Sequence, residues 1–159
     1  MQRKYLILGL FFLLAMSIIV LGFGGLFHAP AHPLEHDRYA VIDVEQPTLI
    51  HQIEFREEYL IAVKTGAGWV QDPIQVGLRF AGYPNADSDH PDQVFAFFPQ
   101  SNKAIVVVAS LNCMDDSIRD HEERIDLVRD SEVWKTEWAG YRQRCRRSLS
   151  GGWVTGLCP

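Results

Sequence analysis

Five carboxylates and one imidazole crowd a short stretch of the chain: Asp115, Asp116, Asp120, His121, Glu122 and Glu123. Brought together, such side chains could activate water, because environments that push two carboxyl pKa values apart create an acid and a base. Asp115, Asp116 and His121 would be the working groups of a hydrolase. Against that stands their place at the turn into a strand, where charges are ordinarily just solvated. A second set follows. Arg142, Arg144, Arg146 and Arg147 mark a basic strand end, and no acid occurs from Ala139 to Pro159. Alternation puts Arg142, Arg144 and Arg146 on one face. They either pair with Asp120, Glu122 and Asp126 of a neighbouring strand or form a patch for anionic headgroups or an acidic partner.

Two further patterns hint at metals. His28, His32 and His36 recur every fourth residue, which on a helix would stack three imidazoles round an ion. Pro30 and Pro33 break that helix, so a solvated stalk is expected. Asn85, Asp87, Asp89 and Asp92 suggest a calcium loop. An EF-hand requires Gly at its sixth position and Glu at its twelfth, and His90 and Ala96 stand there instead. Glycine-rich phosphate loops, nucleophile elbows, paired C-x-x-C and H-E-x-x-H are missing. The sequence therefore nominates no catalytic residue, metal ligand or cofactor.

The cysteines are Cys113, Cys145 and Cys158. If residues 104–113, 117–129 and 133–145 form a meander, the middle strand separates Cys113 from Cys145. Two strand spacings of about 4.8 Å each exceed the Cα reach of a disulfide, about 4.4–6.8 Å. Cys158 lies on a tail that can fold back. A Cys145–Cys158 bridge is expected, with Cys113 a buried free thiol. Closing a loop of that length would contribute roughly 3 kcal/mol in the chain-entropy view.

These groups need elements to position them. Tyr39 to Val44 alternates like a strand. Pro47 to Val63 fits a helix somewhat better than a strand. Asp72-Pro73 is a clear helix start, with Asp72 capping free backbone donors and Pro73 at the first helical position. That helix should run to about Ala81, with Ile74, Leu78 and Ala81 on one face, Gly77 allowing close approach and Gly82-Tyr83-Pro84 ending it. Val94 to Phe98, the β-branched run Ala104 to Leu111, Arg119 to Arg129, and Trp134 to Cys145 read as strands. Ile125 and Leu127 face one way, Arg124 and Asp126 the other. Trp134, Thr136 and Trp138 alternate on the buried face, with a bulge at Gly140. The outcome is α+β: an antiparallel β-meander packed by one or two helices.

Ahead of this domain, Tyr5 to Phe27 contains no charged residue and follows Arg3 and Lys4. At about 1.5 Å per residue the run exceeds a hydrocarbon core of about 30 Å. The positive flank stays inside, so a single-pass signal-anchor with a cytoplasmic N-terminus and an extracytoplasmic C-terminal domain is expected. The rival is a secreted protein cleaved after Ala31, in the small-residue run Ala29-Pro30-Ala31. Residues 1–27 are read as cytoplasmic tip and anchor, 28–38 as stalk and 39–159 as the domain. All 20 acidic residues but only 13 of the 15 basic ones follow the anchor, a formal charge of −7. That disfavours nucleic acid as a partner.

One pattern is shared with other chains. Asp115-Asp116-Ser117, Trp134, Trp138-Ala139-Gly140, Cys145, Trp153 and Cys158 resemble a group of uncharacterised bacterial exported or membrane-anchored proteins. Trp69, Asp72-Pro73 and Leu78-Arg79-Phe80 fit the same group. The resemblance supports the domain boundaries and implies no activity. A helix on a curved sheet also looks like cystatin-like or NTF2-like folds, an analogy of fold alone. Three functions follow as expectations. The first is a non-enzymatic domain that binds a partner or serves an envelope complex. The second is a small-ligand-binding domain. The third is the hydrolase.

Overall fold

The computed structural model describes residues 35–84, 90–148 and 150–159. The expected anchor, the cleavage position after Ala31, His28, His32, Asn85, Asp87 and Asp89 lie outside these residues. Among the described residues no helix is long and apolar enough to cross a membrane. The chain forms β1 (Ala40–Ile42), helices α1 (Ile50–Thr65) and α2 (Pro73–Phe80), then β2 (Gln93–Gln100), β3 (Lys103–Ser110), β4 (Ile118–Asp130) and β5 (Val133–Cys145). The sheet is antiparallel, in the order β1-β5-β4-β3-β2. The four later strands are the expected meander. β1 closes on its far edge, Ala40 facing Tyr141 and Ile42 facing Ala139. The fold is α+β with two helices.

The helices cover one face. α2 starts as its residues dictate: the Asp72 carboxylate accepts the Ile74 amide at 2.9 Å and Pro73 opens the helix. Val76, Gly77 and Phe80 are its buried residues. Of Ile74, Leu78 and Ala81, expected on one face, Leu78 and Ala81 are partly buried and pack against the same core. Gly77 allows close approach, for a Cβ there would come within 2.6 Å of Val106 on β3. The core joins Phe55 of α1, Val76 and Phe80 of α2, and Val106, Ile125 and Trp134 of the sheet. Phe55 meets Phe80 edge-on at 5.4 Å.

A correction concerns the tryptophans. Asp126 faces Trp138 but Leu127 faces Thr136, so Glu137 has no partner on β4. This bulge falls three residues before the expected one at Gly140. It turns Trp138 to the face away from the helices, while Trp134 stays in the core. The folded unit also begins earlier than Tyr39. His36–Arg38 forms a 3-10 turn, and the His36 ring stacks on Trp138 at 4.2 Å.

The disulfide joins Cys145 to Cys158. It holds the tail beside β5, where Gln143 and Val154 exchange backbone hydrogen bonds of 2.9 and 2.8 Å. Cys113 is free and half-buried. β4 separates it from β5, as the meander requires.

Candidate functional site

The sheet divides the charged residues of β4 between its two faces, because successive side chains point opposite ways. Asp120, Glu122, Arg124 and Asp126 take the face away from the helices. Each is matched there. The Arg124 guanidinium clamps Asp126 with bonds of 2.7 and 2.8 Å, and His36 bonds the same carboxylate at 2.8 Å. Glu122 accepts the Tyr39 hydroxyl and Arg142 Nε, both at 2.7 Å. Burial and that hydrogen bond push the Tyr39 phenol well up. Arg144 reaches Asp120 at 3.3 Å, and Arg119 reaches it at 3.1 Å. Burial alone would raise Asp120, but the Asn112 amide and these two guanidiniums hold it below the usual carboxylate range. Trp153 lies against both Arg142 and Arg144, at 4.6 and 4.4 Å.

Two of the four arginines nominated as a patch, Arg142 and Arg144, are thus engaged with the carboxylates of β4. Arg146 is exposed but bonds the carbonyls of Asp115 and Cys113 and so ties down the loop between β3 and β4. Arg147 is exposed beyond the strand end.

The acidic cluster does not assemble as a hydrolase would need. Asp115 folds back on its own turn, accepting the amides of Ser117 and Ile118 at 2.7 Å. Those bonds hold its carboxyl below the usual range. Asp116 is exposed. His121 instead contacts Glu123 at 3.2 Å, on the helix-bearing face. Asp92, read as a calcium ligand, accepts the Leu111 amide at 2.6 Å. Among the described residues no group of three or more His, Cys, Asp or Glu could hold a metal. The Cys113 thiol is pushed up by burial, the opposite of what a nucleophile needs.

The helix-bearing face holds what the sequence does not reveal. Between the first turn of α1, the loop after β1, and strands β4 and β5 lies a cavity of about 620 Å³. His51, Gln52, His121, Glu123 and Tyr141 supply its polar and aromatic lining. A second cavity of about 220 Å³ continues along α1, lined largely by Val44, Phe55, Tyr59, Leu60 and Phe80. Gln52 lines both. It is 1% exposed, yet its Nε2 has no hydrogen-bond partner. Glu123 is 5% exposed, and its Oε2 is likewise without one, as are His51 Nε2 and Thr136 Oγ1. Buried polar atoms are almost always bonded, and an exception calls for an explanation. Here the exceptions gather round a cleft. No single sequence signal marks it, since Gln52 and Glu123 are far apart in the chain and meet only through the packing of α1.

No protein-family model, no curated protein and no solved structure matches this chain.

Proposed function

We propose that the protein is a membrane-tethered, extracytoplasmic domain that binds a small ligand in the cleft beneath α1. The observation that carries the reading is the buried Gln52 side chain, its Nε2 without a hydrogen-bond partner, at the junction of a polar and an apolar cavity. Ligand sites are typically concave and mostly apolar, with a few converging polar groups. Tethering is supported by the uncharged run Tyr5 to Phe27 behind Arg3 and Lys4. An oxidising compartment is supported by the Cys145–Cys158 bridge.

The test is a fragment screen on the full chain in lipid nanodiscs, read by thermal shift. Binders should raise Tm, and Thr48→Trp and Leu60→Trp should abolish the rise. Both positions are exposed rims of the two cavities, so the substitutions block entry without disturbing the core. Fragments that stabilise the two variants as well as the parent would sink the proposal.

A partner-binding reading has its own observation. The outer side of α1 shows Ile50, Ile53, Leu60 and Ile61, with Ile50 75% and Ile61 62% exposed. These fall on one stripe of the helix, opposite the buried Gln52, Phe55 and Ala62. An envelope protein docking there would cover them. Crosslinking in membranes should capture a partner that Ile50→Glu with Ile61→Glu loses; recovery of the chain alone would remove this reading.

A further inference from the structure

The larger cavity carries two opposite chemistries. On one side α1 begins without a side-chain cap, Leu49 occupying the cap position. The first bonded amides of the helix are those of Gln52 and Ile53, both to the Leu49 carbonyl. The amides of Ile50 and His51 precede them and have no intrahelical acceptor. Such a helix start favours a negative group. The unbonded Gln52 Nε2 is a further donor at the same end. On the sheet side stands Glu123, one carboxylate oxygen against His121 and the other buried without a donor. Val41, Ile42 and Leu49 supply apolar wall between the two.

Each simpler ligand leaves part of this unanswered. A plain anion would meet the Glu123 carboxylate, and Asp43 in the same cavity. A plain amine would answer Glu123 and leave the donors of Gln52 and the helix start unbonded. We infer that the cavity takes a small zwitterion, an α-amino acid with an aliphatic side chain. Its ammonium bonds Glu123, its carboxylate takes the start of α1 and the Gln52 amide, and its side chain lies along Ile42 and Leu49. Asp43 does not compete for the ammonium through Oδ1, which already accepts the amides of Glu45 and Gln46 at 3.0 and 2.9 Å. The inference rests on the ligand-binding reading above and supplies its ligand class.

Calorimetry on the full chain in nanodiscs tests it with three probes. L-leucine carries both charges, leucine methyl ester the ammonium alone, and 4-methylpentanoate the carboxylate alone. Leucine should bind at least about tenfold more tightly than either analogue, since each lost group forfeits a charge-assisted bond. The isosteric Glu123→Gln should weaken leucine about tenfold and erase its advantage over 4-methylpentanoate. Gln52→Leu should erase much of its advantage over the methyl ester. Far-ultraviolet circular dichroism and a cooperative thermal transition report that both variants remain folded. An ester that matches leucine, or variants that bind leucine like the parent, would overturn the inference. If no probe binds while fragments blocked by Thr48→Trp still do, the ligand class falls and the cleft stands. If neither binds, both fall.

Discussion

Glu122 and Glu123 are neighbours on β4, equally hidden from solvent, and opposite in circumstance. Glu122 faces away from the helices and receives a hydroxyl and a guanidinium at 2.7 Å each. Glu123 faces the helices and keeps one oxygen unbonded. The contrast extends to whole faces. One is a ladder of acid, arginine and aromatic side chains in which every carboxylate has a partner. Five of the six buried side-chain polar atoms without a hydrogen bond, among the described residues, belong instead to the helix-bearing side: His51, Gln52, Arg79, Glu123 and Thr136. The sixth is Arg144 Nε on the ladder. A matched charge serves the fold. An unmatched one costs stability.

The largest loss is expected on the ladder. Arg124 is 2% exposed and clamps Asp126. Arg124→Ala removes one partner of a buried pair and should cost about 3–5 kcal/mol, read by urea denaturation. A loss below about 1 kcal/mol would mean the ladder face is not what holds the sheet. Next comes the bridge that keeps Trp153 against Arg142 and Arg144. Cys158→Ser should cost about 3 kcal/mol, and the same fall in Tm should appear when the parent is reduced.

On the cleft side the sign reverses. Gln52→Leu replaces a buried amide whose Nε2 has no hydrogen-bond partner with an apolar side chain of similar helix propensity, and should stabilise the apo protein by about 1 kcal/mol. Equal loss at Gln52 and on the ladder would dissolve the distinction between the two faces. The smallest effect is acid sensitivity. Asp120 is held below its ordinary pKa in the folded state. Its contribution is therefore present above the unfolded value, about 3.9, and is lost as pH falls through the folded value. Asp120→Asn should flatten that part of the stability profile below pH about 4, measured by denaturation across pH.

Much of this was legible in the chain before folding. The Asp72-Pro73 start of α2, the strand limits of the meander, and the pairing of Asp120 and Glu122 with Arg144 and Arg142 all depend on local capping or on period-two alternation. The Cys145–Cys158 bridge was expected from the strand spacing that sets Cys113 apart from Cys145 and from a tail that can fold back. α1 was harder to read because it is apolar on both sides, Phe55 and Ala62 inward and Ile50 and Ile61 outward, so its pattern has no clean period.

Residue order by itself thus determined the meander of β2 to β5 and which charges share a strand face, since those are properties of neighbours in sequence and of period-two alternation. Folding alone decided three things. A single unpaired residue, Glu137, sends Trp138 to the ladder while Trp134 stays in the core. Packing against Val106 turns Val76, Gly77 and Phe80 of α2 to the core. The crossing of α1 over the sheet brings Gln52 into the cavity that Glu123 lines. Each is a matter of long-range register and packing, and short-range periodicity carries no information about either.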